Sequence, residues 1–250
     1  MGVIAQSMPA TTNNKQRVLT HLFASLKKRY DPEEPPPLPV LEQIIYALCR
    51  EGTTRELADQ GYRNLQERFF DWNEVRVSSI REVEEAIADL PHAEARAQKL
   101  IALLQEVFET TFSFDLELLQ KKGLKQAAKH ISKYEAVKGN DYVVAWVIQR
   151  ALAGHAIPLD APTLRVLRRL GLLENETEDL EALRGSIEHL IPKARGPLFN
   201  ELISFLANEY CWEDEPNCTA CSLYQDCPHA REACSREAVG AERGSRPKPR

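Results

Sequence analysis

Apolar residues recur at intervals of three and four along nearly the whole chain, and strict apolar–polar alternation is almost absent. This spacing puts apolar side chains on one face of an α-helix, whereas half-buried strands need a period of two. The sequence therefore predicts an all-α fold. The first such face, within a helix expected over 15–30, consists of Val18, Leu19, Leu22, Phe23 and Leu26.

Capping and breaking residues divide this pattern into separate helices. The proline-rich segment 31–39 ends the first helix. Thr53 with Glu56, and Ser79 with Glu82, each have the spacing of a capping box. The further helices are predicted at 41–50, 57–69, 83–90, 93–109, 115–122, 124–133, 178–190 and 197–209.

The segment "NDYVVAWVIQRALAG" has almost no polar face, which is typical of a helix in the middle of a core. Asn140 or Asp141 can cap its start, and Gly154 can end it. After a short loop, Asp160 stands where the next helix needs an N-cap, and Gly171 stands where that helix should end.

Four of the six cysteines fall within "CWEDEPNCTACSLYQDC", separated by six, two and five residues. Soft thiolates gathered by short loops suit zinc or an iron-sulfur cluster, and hardly suit magnesium or calcium. Cys49 and Cys234 lie outside this pattern and are expected to be bystanders. The predicted metal ligands are Cys211, Cys218, Cys221 and Cys227.

Composition is that of an ordinary globular protein, with 250 residues, 43% of them hydrophobic and 28% charged. The sequence has no apolar run long enough to span a membrane and no recognisable signal peptide. We therefore expect a cytoplasmic monomer, associated with the nucleoid if bacterial. Thiols stay reduced in that compartment, which favours a metal site over disulfides.

The net charge of −5 argues against a nucleic-acid partner, but the charges are unevenly distributed. Acidic residues concentrate in 174–188 and basic residues in 121–138. Within the basic segment, Lys125, Lys129 and Lys133 recur every fourth residue and form a stripe on one helix face. Such a stripe either faces solvent or meets phosphates, and both interpretations stay open.

The pattern C-x6-C-x2-C-x5-C at the end of an all-helical chain resembles the cluster loop of the iron-sulfur type, endonuclease III-like helix-hairpin-helix DNA glycosylases. "PLDAPTLRVLRRLGLL", with Asp160 and Arg165, is similar to that family's catalytic aspartate segment. "LEQIIYALCREGTT" resembles its early helix, with Glu51 where glutamine is usual. The likeness covers about 40–230.

The resemblance implies a two-lobed helical glycosylase fold with a 4Fe-4S cluster on the four cysteines, zinc being the alternative metal. It also implies base excision repair on double-stranded DNA, with damaged or mispaired DNA as the expected substrate. The corresponding divisions of the chain are an N-terminal helix with its linker at 1–40, a helical glycosylase-like region at 41–210, a cluster loop at 211–230 and a disordered tail at 231–250.

In that family a glycine-rich hairpin before the buried helix directs backbone N–H groups at a DNA phosphate. Here the corresponding segment is "AVKGNDY", in which only Gly139 is a plausible hairpin glycine and Asn140 is a possible substitute for a second. This departure puts the phosphate contact in doubt. Besides the lysine stripe, the candidates for DNA contact are Lys138, Gly139, Asn140 and Arg165.

A second departure concerns the lysine that many relatives use as an amine nucleophile. The family pattern puts Tyr142 at that position, eighteen residues before Asp160. A phenol cannot form a Schiff base, so we expect no strand-cutting lyase step. Some members of the family that act at mispaired bases carry tyrosine or serine at this position, and the chain resembles them in this respect. Lys138, one turn earlier, has the wrong spacing to replace the lysine.

Asp160 could still assist base removal, by stabilising positive charge on the sugar or by deprotonating a water. The alternatives are structural: Asp160 is a good N-cap, and Tyr142 fits simple core packing. Three functions follow: a lysine-independent DNA glycosylase, a catalytically inactive DNA- or protein-binding descendant, and a metal-stabilised interaction module that does not bind DNA.

Overall fold

The computed structural model describes residues 12–173 and 179–232, and the regular elements in these ranges are all helical. The all-α prediction is confirmed. Two short 3₁₀ segments, Glu117–Lys121 and Lys193–Arg195, accompany the α-helices. The α-helices are α1 (Thr12–Leu26), α2 (Val40–Arg50), α3 (Arg55–Arg68), α4 (Trp72–Val77), α5 (Ile80–Ala86), α6 (Ala93–Thr111), α7 (Leu124–Ile131), α8 (Asp141–Arg150), α9 (Ala161–Arg169), α10 (Leu180–Glu188) and α11 (Gly196–Glu209).

Buried apolar side chains form two clusters, which define two lobes. The first lobe contains α2 to α8, with core residues between Val40 and Val147. The second lobe combines α1 with α9 to α11 and the segment that carries the cysteines. The chain therefore begins in the second lobe, builds the first, and returns. The two-lobed arrangement expected from the sequence is confirmed.

Helix α8 lies in the middle of the molecule, as its apolar sequence predicts. Every residue from Tyr142 to Val147 is buried. Trp146 Nε1 donates a hydrogen bond of 2.9 Å to Gln43 Oε1 of α2, which satisfies the indole N–H inside the core. Helix α8 also packs against α11, so it connects the two lobes. It ends at Arg150, before the predicted stop at Gly154.

Local signals determine several helix ends. The capping box of Ser79 and Glu82 is confirmed at the start of α5. The box predicted at Thr53 is wrong by one residue, because Thr54 accepts the hydrogen bond from the Leu57 N–H. The N–H of Thr53 is used instead in the turn that ends α2, where it donates to the Arg50 carbonyl.

Other boundaries differ from the sequence patterns by a few residues. Helix α1 spans Thr12–Leu26 rather than 15–30, and the short helix α4 is not predicted. The helix expected at 115–122 is a 3₁₀ turn. Within the described ranges, no helix has both the length and the apolar character needed to cross a membrane. Of the tail predicted to be disordered, 231–250, Arg231 and Glu232 are helical, so the prediction is wrong for these two residues. Cys234 and the rest of the tail lie outside the described residues.

Candidate functional site

A cavity of about 540 Å³ lies where the two lobes meet, and Asp160 forms part of its wall. The first lobe contributes the turn after α2 and the beginning of α6, and the second contributes the start of α9 and the cysteine segment. The charged and polar residues that line it are Glu51, His92, Arg96, Lys99, Asp160, Arg165 and Glu213.

Asp160 is the N-cap of α9, and both of its carboxylate oxygens accept backbone hydrogen bonds. Oδ1 accepts from the Thr163 N–H at 2.9 Å, and Oδ2 accepts from the Gly52 N–H of the first lobe, also at 2.9 Å. Each carboxylate oxygen can accept a second hydrogen bond, so the two contacts orient the group without saturating it. The predicted N-cap is confirmed, and the same side chain faces the cavity.

Tyr142 lies inside the protein in the first turn of α8, with 5% of its surface exposed. Its ring stacks on Trp146 with centroids 6.0 Å apart. Burial raises the pKa of Tyr142; the Arg50 guanidinium opposes this shift, while Asp160 and other nearby carboxylates add to it. The phenol is therefore neutral, and this environment disfavours a phenolate nucleophile.

Helix α7, residues 132–140 and helix α8 form a helix-hairpin-helix unit. The hairpin is anchored by Tyr134 and Val137, which are buried in the first lobe. Gly139 is exposed and has φ +72°, as expected for a hairpin glycine. Asn140 caps α8 by accepting from the Val143 N–H at 3.3 Å. The single glycine and the cap therefore form a hairpin despite the departure from the family pattern.

The predicted basic residues lie on the outside of this unit. Lys125 and Lys129 on α7, and Lys133 just after it, are all exposed. Lys138 is also exposed and pairs with Glu135 at 3.2 Å. The four ammonium groups are accessible to a ligand, and they lie on the same unit as the hairpin.

All four predicted metal ligands line one small cavity of about 20 Å³ in the second lobe. Burial raises the pKa of Cys221, and raises that of Cys227 to about 11. The donor set is chemically suited to a thiolate-bound metal centre, because soft thiolates prefer zinc or iron-sulfur groups and all four cysteines line the same cavity. In the described part of the chain, no three His, Cys, Asp or Glu side chains are grouped closely enough for a single metal ion.

Two arginines of α9 hold the cysteine segment in place, a role that the sequence alone did not indicate. Arg165 Nε donates to the Cys211 carbonyl at 2.9 Å. Arg169 donates to the carbonyls of Trp212 and Glu213, and its Nη1 is 3.5 Å from Cys211 Sγ. The helix that begins at the cavity with Asp160 therefore ends against the cysteines.

A buried ionic cluster at the junction of the lobes was also missed. Glu201 of α11 lies 3.0 Å from Arg150 and 3.5 Å from Arg50, and all three side chains are at least 92% buried. Arg50 ends α2 and Arg150 ends α8, while Glu201 belongs to the second lobe. The cluster thus joins both lobes through one carboxylate.

Three solved structures show the same architecture. A non-covalent Endonuclease III–DNA complex has a TM-score of 0.67 and 17% sequence identity, covering 88% of this chain and 98% of that one. A trapped Endonuclease III–DNA covalent intermediate has a TM-score of 0.66 and 18% sequence identity, covering 88% of this chain and 98% of that one. The chain has the endonuclease III fold. A thermostable thymine-DNA glycosylase has a TM-score of 0.64 and 20% sequence identity, covering 89% of this chain and 100% of that one.

Sequence comparison alone gives a weaker relationship to proteins with the endonuclease III fold. The Endonuclease III homolog of Encephalitozoon cuniculi (strain GB-M1) is 24% identical over 112 residues, which are 45% of this chain. The match spans about half the length of that relative, 46%. No family model matches the sequence. The resemblance recognised from the motifs is confirmed at the level of the fold.

Proposed function

We propose that this chain is a base excision repair protein that removes a base from double-stranded DNA without cutting the strand. The observation that carries the proposal is the position of Asp160, at a cavity of about 540 Å³ between the lobes of an endonuclease III fold. The structural neighbours include two complexes of Endonuclease III with DNA and, separately, a thymine-DNA glycosylase. Their activities support the proposal that this chain acts on bases in DNA. We also propose a cytoplasmic location, where the genome would be accessible if the chain is bacterial.

Asp160 supplies the chemistry in this proposal. Its carboxylate stabilises positive charge that develops on the sugar as the base leaves, or it takes the proton of an attacking water. Asp160 caps α9, and its two backbone hydrogen bonds hold the carboxylate at the wall of the cavity. The cavity volume of about 540 Å³ is within the range of small-molecule sites, so it can accommodate a base turned out of the duplex.

The absence of the lyase step follows from Tyr142. Schiff-base formation needs an amine, and Tyr142, which stands where the resemblance expects a lysine, is a buried, neutral phenol. Lys99 supplies an amine at the cavity, but it is exposed on α6 rather than buried beside Asp160. The proposed product is therefore an abasic site in an intact strand.

DNA contact is assigned to the helix-hairpin-helix unit. The exposed lysines, Gly139 and the capped start of α8 all belong to this unit, and in the proposal they supply the positive charge and polar groups that meet a DNA phosphate. Arg165 is the further candidate, since it lines the cavity as well as holding the cysteine segment. Damaged or mispaired duplexes are the proposed substrates.

A 4Fe-4S cluster is proposed for the four cysteines, with zinc as the alternative. The cluster would be held by Cys211, Cys218, Cys221 and Cys227 and would serve to stabilise the second lobe, as a metal centre that gathers short loops does. Within this chain, Arg165 and Arg169 orient the segment that begins at Cys211.

The decisive experiment is a glycosylase screen on duplexes with different lesions and mismatches, comparing the parent with Asp160→Asn. We expect base release by the parent, at least a hundredfold less by the variant, and no covalent adduct after borohydride treatment. Asp31→Asn, an exposed aspartate just beyond α1, is the matched control and should be as active as the parent. Base release that does not depend on Asp160 would overturn the mechanism.

A second function is favoured by the lost lysine and the single hairpin glycine, which together resemble a site that has lost its catalysis. In that case the chain binds DNA or a protein partner and excises nothing. The same screen separates the two: salt-dependent duplex binding without base release on any substrate would support the non-catalytic descendant.

A further inference from the structure

The turn that ends α2 brings three parts of the molecule together at Asp160. Glu51 has φ −56° and ψ 124°, Gly52 has φ +67°, and the Thr53 N–H donates to the Arg50 carbonyl. These values define a type II β-turn with glycine at the position that needs a positive φ. The central peptide of such a turn has no partner inside the turn itself.

Both polar groups of that central peptide have partners elsewhere. The Gly52 N–H donates to Asp160 Oδ2 at 2.9 Å, while the Glu51 carbonyl accepts from Arg96 Nη2 at 2.5 Å. Arg96 belongs to α6 and also donates to the carbonyls of Leu48 and Pro91, so it is firmly held. A cation on the carbonyl polarises the peptide and strengthens its N–H as a donor.

The side chain of Glu51 reaches the hairpin. Its Oε2 accepts a hydrogen bond of 2.7 Å from Asn140 Nδ2, while Asn140 Oδ1 caps α8. Two hydrogen bonds, joined by the covalent bonds of Glu51, therefore connect Asn140 of the hairpin to Asp160. The hairpin and Asp160 are twenty residues apart in sequence and belong to different lobes.

We propose that Glu51 is a positioning residue that couples the hairpin to Asp160. When Asn140 holds the Glu51 side chain, the Gly52 N–H is directed at Asp160 and keeps its carboxylate aimed into the cavity. The proposal rests on the function proposed above, and it adds that a DNA contact at the hairpin reaches the reacting group through the 51–52 peptide. Glu51 itself does not touch the reacting atoms.

Four variants test the coupling. Glu51→Ala removes the acceptor, and Asn140→Asp keeps the cap oxygen but replaces the donor with a carboxylate that faces Glu51. Glu51→Gln keeps an acceptor for Asn140. The double variant Glu51→Gln/Asn140→Asp rebuilds the hydrogen bond with donor and acceptor exchanged.

The readout is the single-turnover rate of base release with enzyme in excess. We expect about a tenfold loss for Glu51→Ala and for Asn140→Asp, a smaller loss for Glu51→Gln, and a rate for the double variant at least about threefold above that of Asn140→Asp alone. The dissociation constant of Glu51→Ala for duplex DNA should change by less than about twofold. A parent-like rate for Glu51→Ala, or a double variant as slow as Asn140→Asp, would overturn the proposal.

A measurement on the free protein keeps this test separate from the proposed activity. Gly52 is exposed, so its amide is protected from hydrogen exchange by the bond to Asp160. In Asp160→Ala and in Glu51→Ala we expect the Gly52 amide to exchange about tenfold faster, as lost hydrogen bonds of ordinary strength imply. The Gly154 amide, bonded to the Ile148 carbonyl at 2.8 Å, is the control and should not change.

The two experiments fail in different ways. If neither the parent nor any variant releases a base, but the Gly52 amide exchanges faster in Asp160→Ala and Glu51→Ala, the proposed function is wrong and the coupling of the turn to Asp160 stands. If the Gly52 amide does not respond to Asp160→Ala or Glu51→Ala, the coupling is wrong even when base release is observed.

Discussion

At the residue scale, Tyr142 shows how a single side chain changes the available chemistry. Its ring stacks on Trp146, and the charges of Arg50 and Asp160 act on it through the protein interior. Burial keeps the phenol protonated, so an O–H group and a flat ring are what it can offer. Its main contribution is therefore packing in the core at the start of α8.

This assignment predicts different results for two substitutions of Tyr142. Tyr142→Phe keeps the ring and loses the hydroxyl, so the free energy of unfolding should change by less than about 1 kcal/mol. Tyr142→Ala leaves a cavity in the core and should cost about 3–5 kcal/mol. Urea denaturation measures both, and a Phe variant as unstable as the Ala variant would contradict the packing role.

The residues predicted from the sequence are those whose signals are local. The N-cap at Asp160 and the stop at Gly171 are encoded within a few positions, and both are confirmed. The bond between Gly52 and Asp160 joins positions 108 apart, and no local pattern indicates it. Arg96, whose partners lie 45 and 48 residues away, was missed for the same reason.

At the element scale, helix α7 combines a buried face with an exposed basic one. Ala127 and Ile131 are buried, whereas Lys125 and Lys129 are exposed. The pKa of His130 is lowered by burial and by two nearby lysines, Lys122 and Lys133, which shows how densely positive charge is placed here. Because the helix runs directly into the hairpin, the basic face is well placed for a DNA backbone.

The lysines of this element should account for part of the salt dependence of DNA binding. Changing Lys129 and Lys133 to Glu should weaken binding to undamaged and damaged duplexes alike, and should flatten the slope of log K against log salt by about 0.9 per lost phosphate contact. The double variant Lys27→Glu/Lys28→Glu, an equal charge change on two exposed residues after α1, is the control. Equal losses in both variants would show a non-specific charge effect instead of a binding face.

Helix α11 connects to the first lobe through Glu201, which pairs with Arg50 and Arg150. Removing one member of a buried ion cluster leaves charges without a partner, which costs about 3–5 kcal/mol. We expect a loss of that size in the free energy of unfolding for Glu201→Ala. Glu209→Ala, at the exposed end of the same helix, should change it by less than about 0.5 kcal/mol. Comparable values for the two variants would contradict a stabilising role.

At the scale of the whole molecule, the sequence predicted the fold class but not which segments share a core. The period of apolar residues determines that the elements are helices, and it carries no information on which helix packs on which. Helix α1 joins the second lobe, more than 130 residues from its next partner in that core, Ile157. His21 of α1 lies 2.5 Å from Asp226, beside the last cysteine of the loop, so the first described helix and the cysteine segment support each other.

The cysteine centre is expected to hold the second lobe together. Short loops with few apolar side chains fold poorly unless a metal gathers them, and this segment has Leu223 and Ala230 as its buried apolar anchors. Cys221→Ser should therefore abolish the broad visible absorption of a thiolate-bound iron-sulfur group and lower the melting temperature. Cys49→Ala, whose cysteine is buried in the first lobe, should retain the absorption.

A colourless parent protein with one equivalent of zinc would rule out the iron-sulfur assignment, while still leaving the four cysteines as ligands. If Cys221→Ser changes neither the spectrum nor the melting temperature, the cysteines hold no metal, and the second lobe depends on its arginine and helix contacts alone.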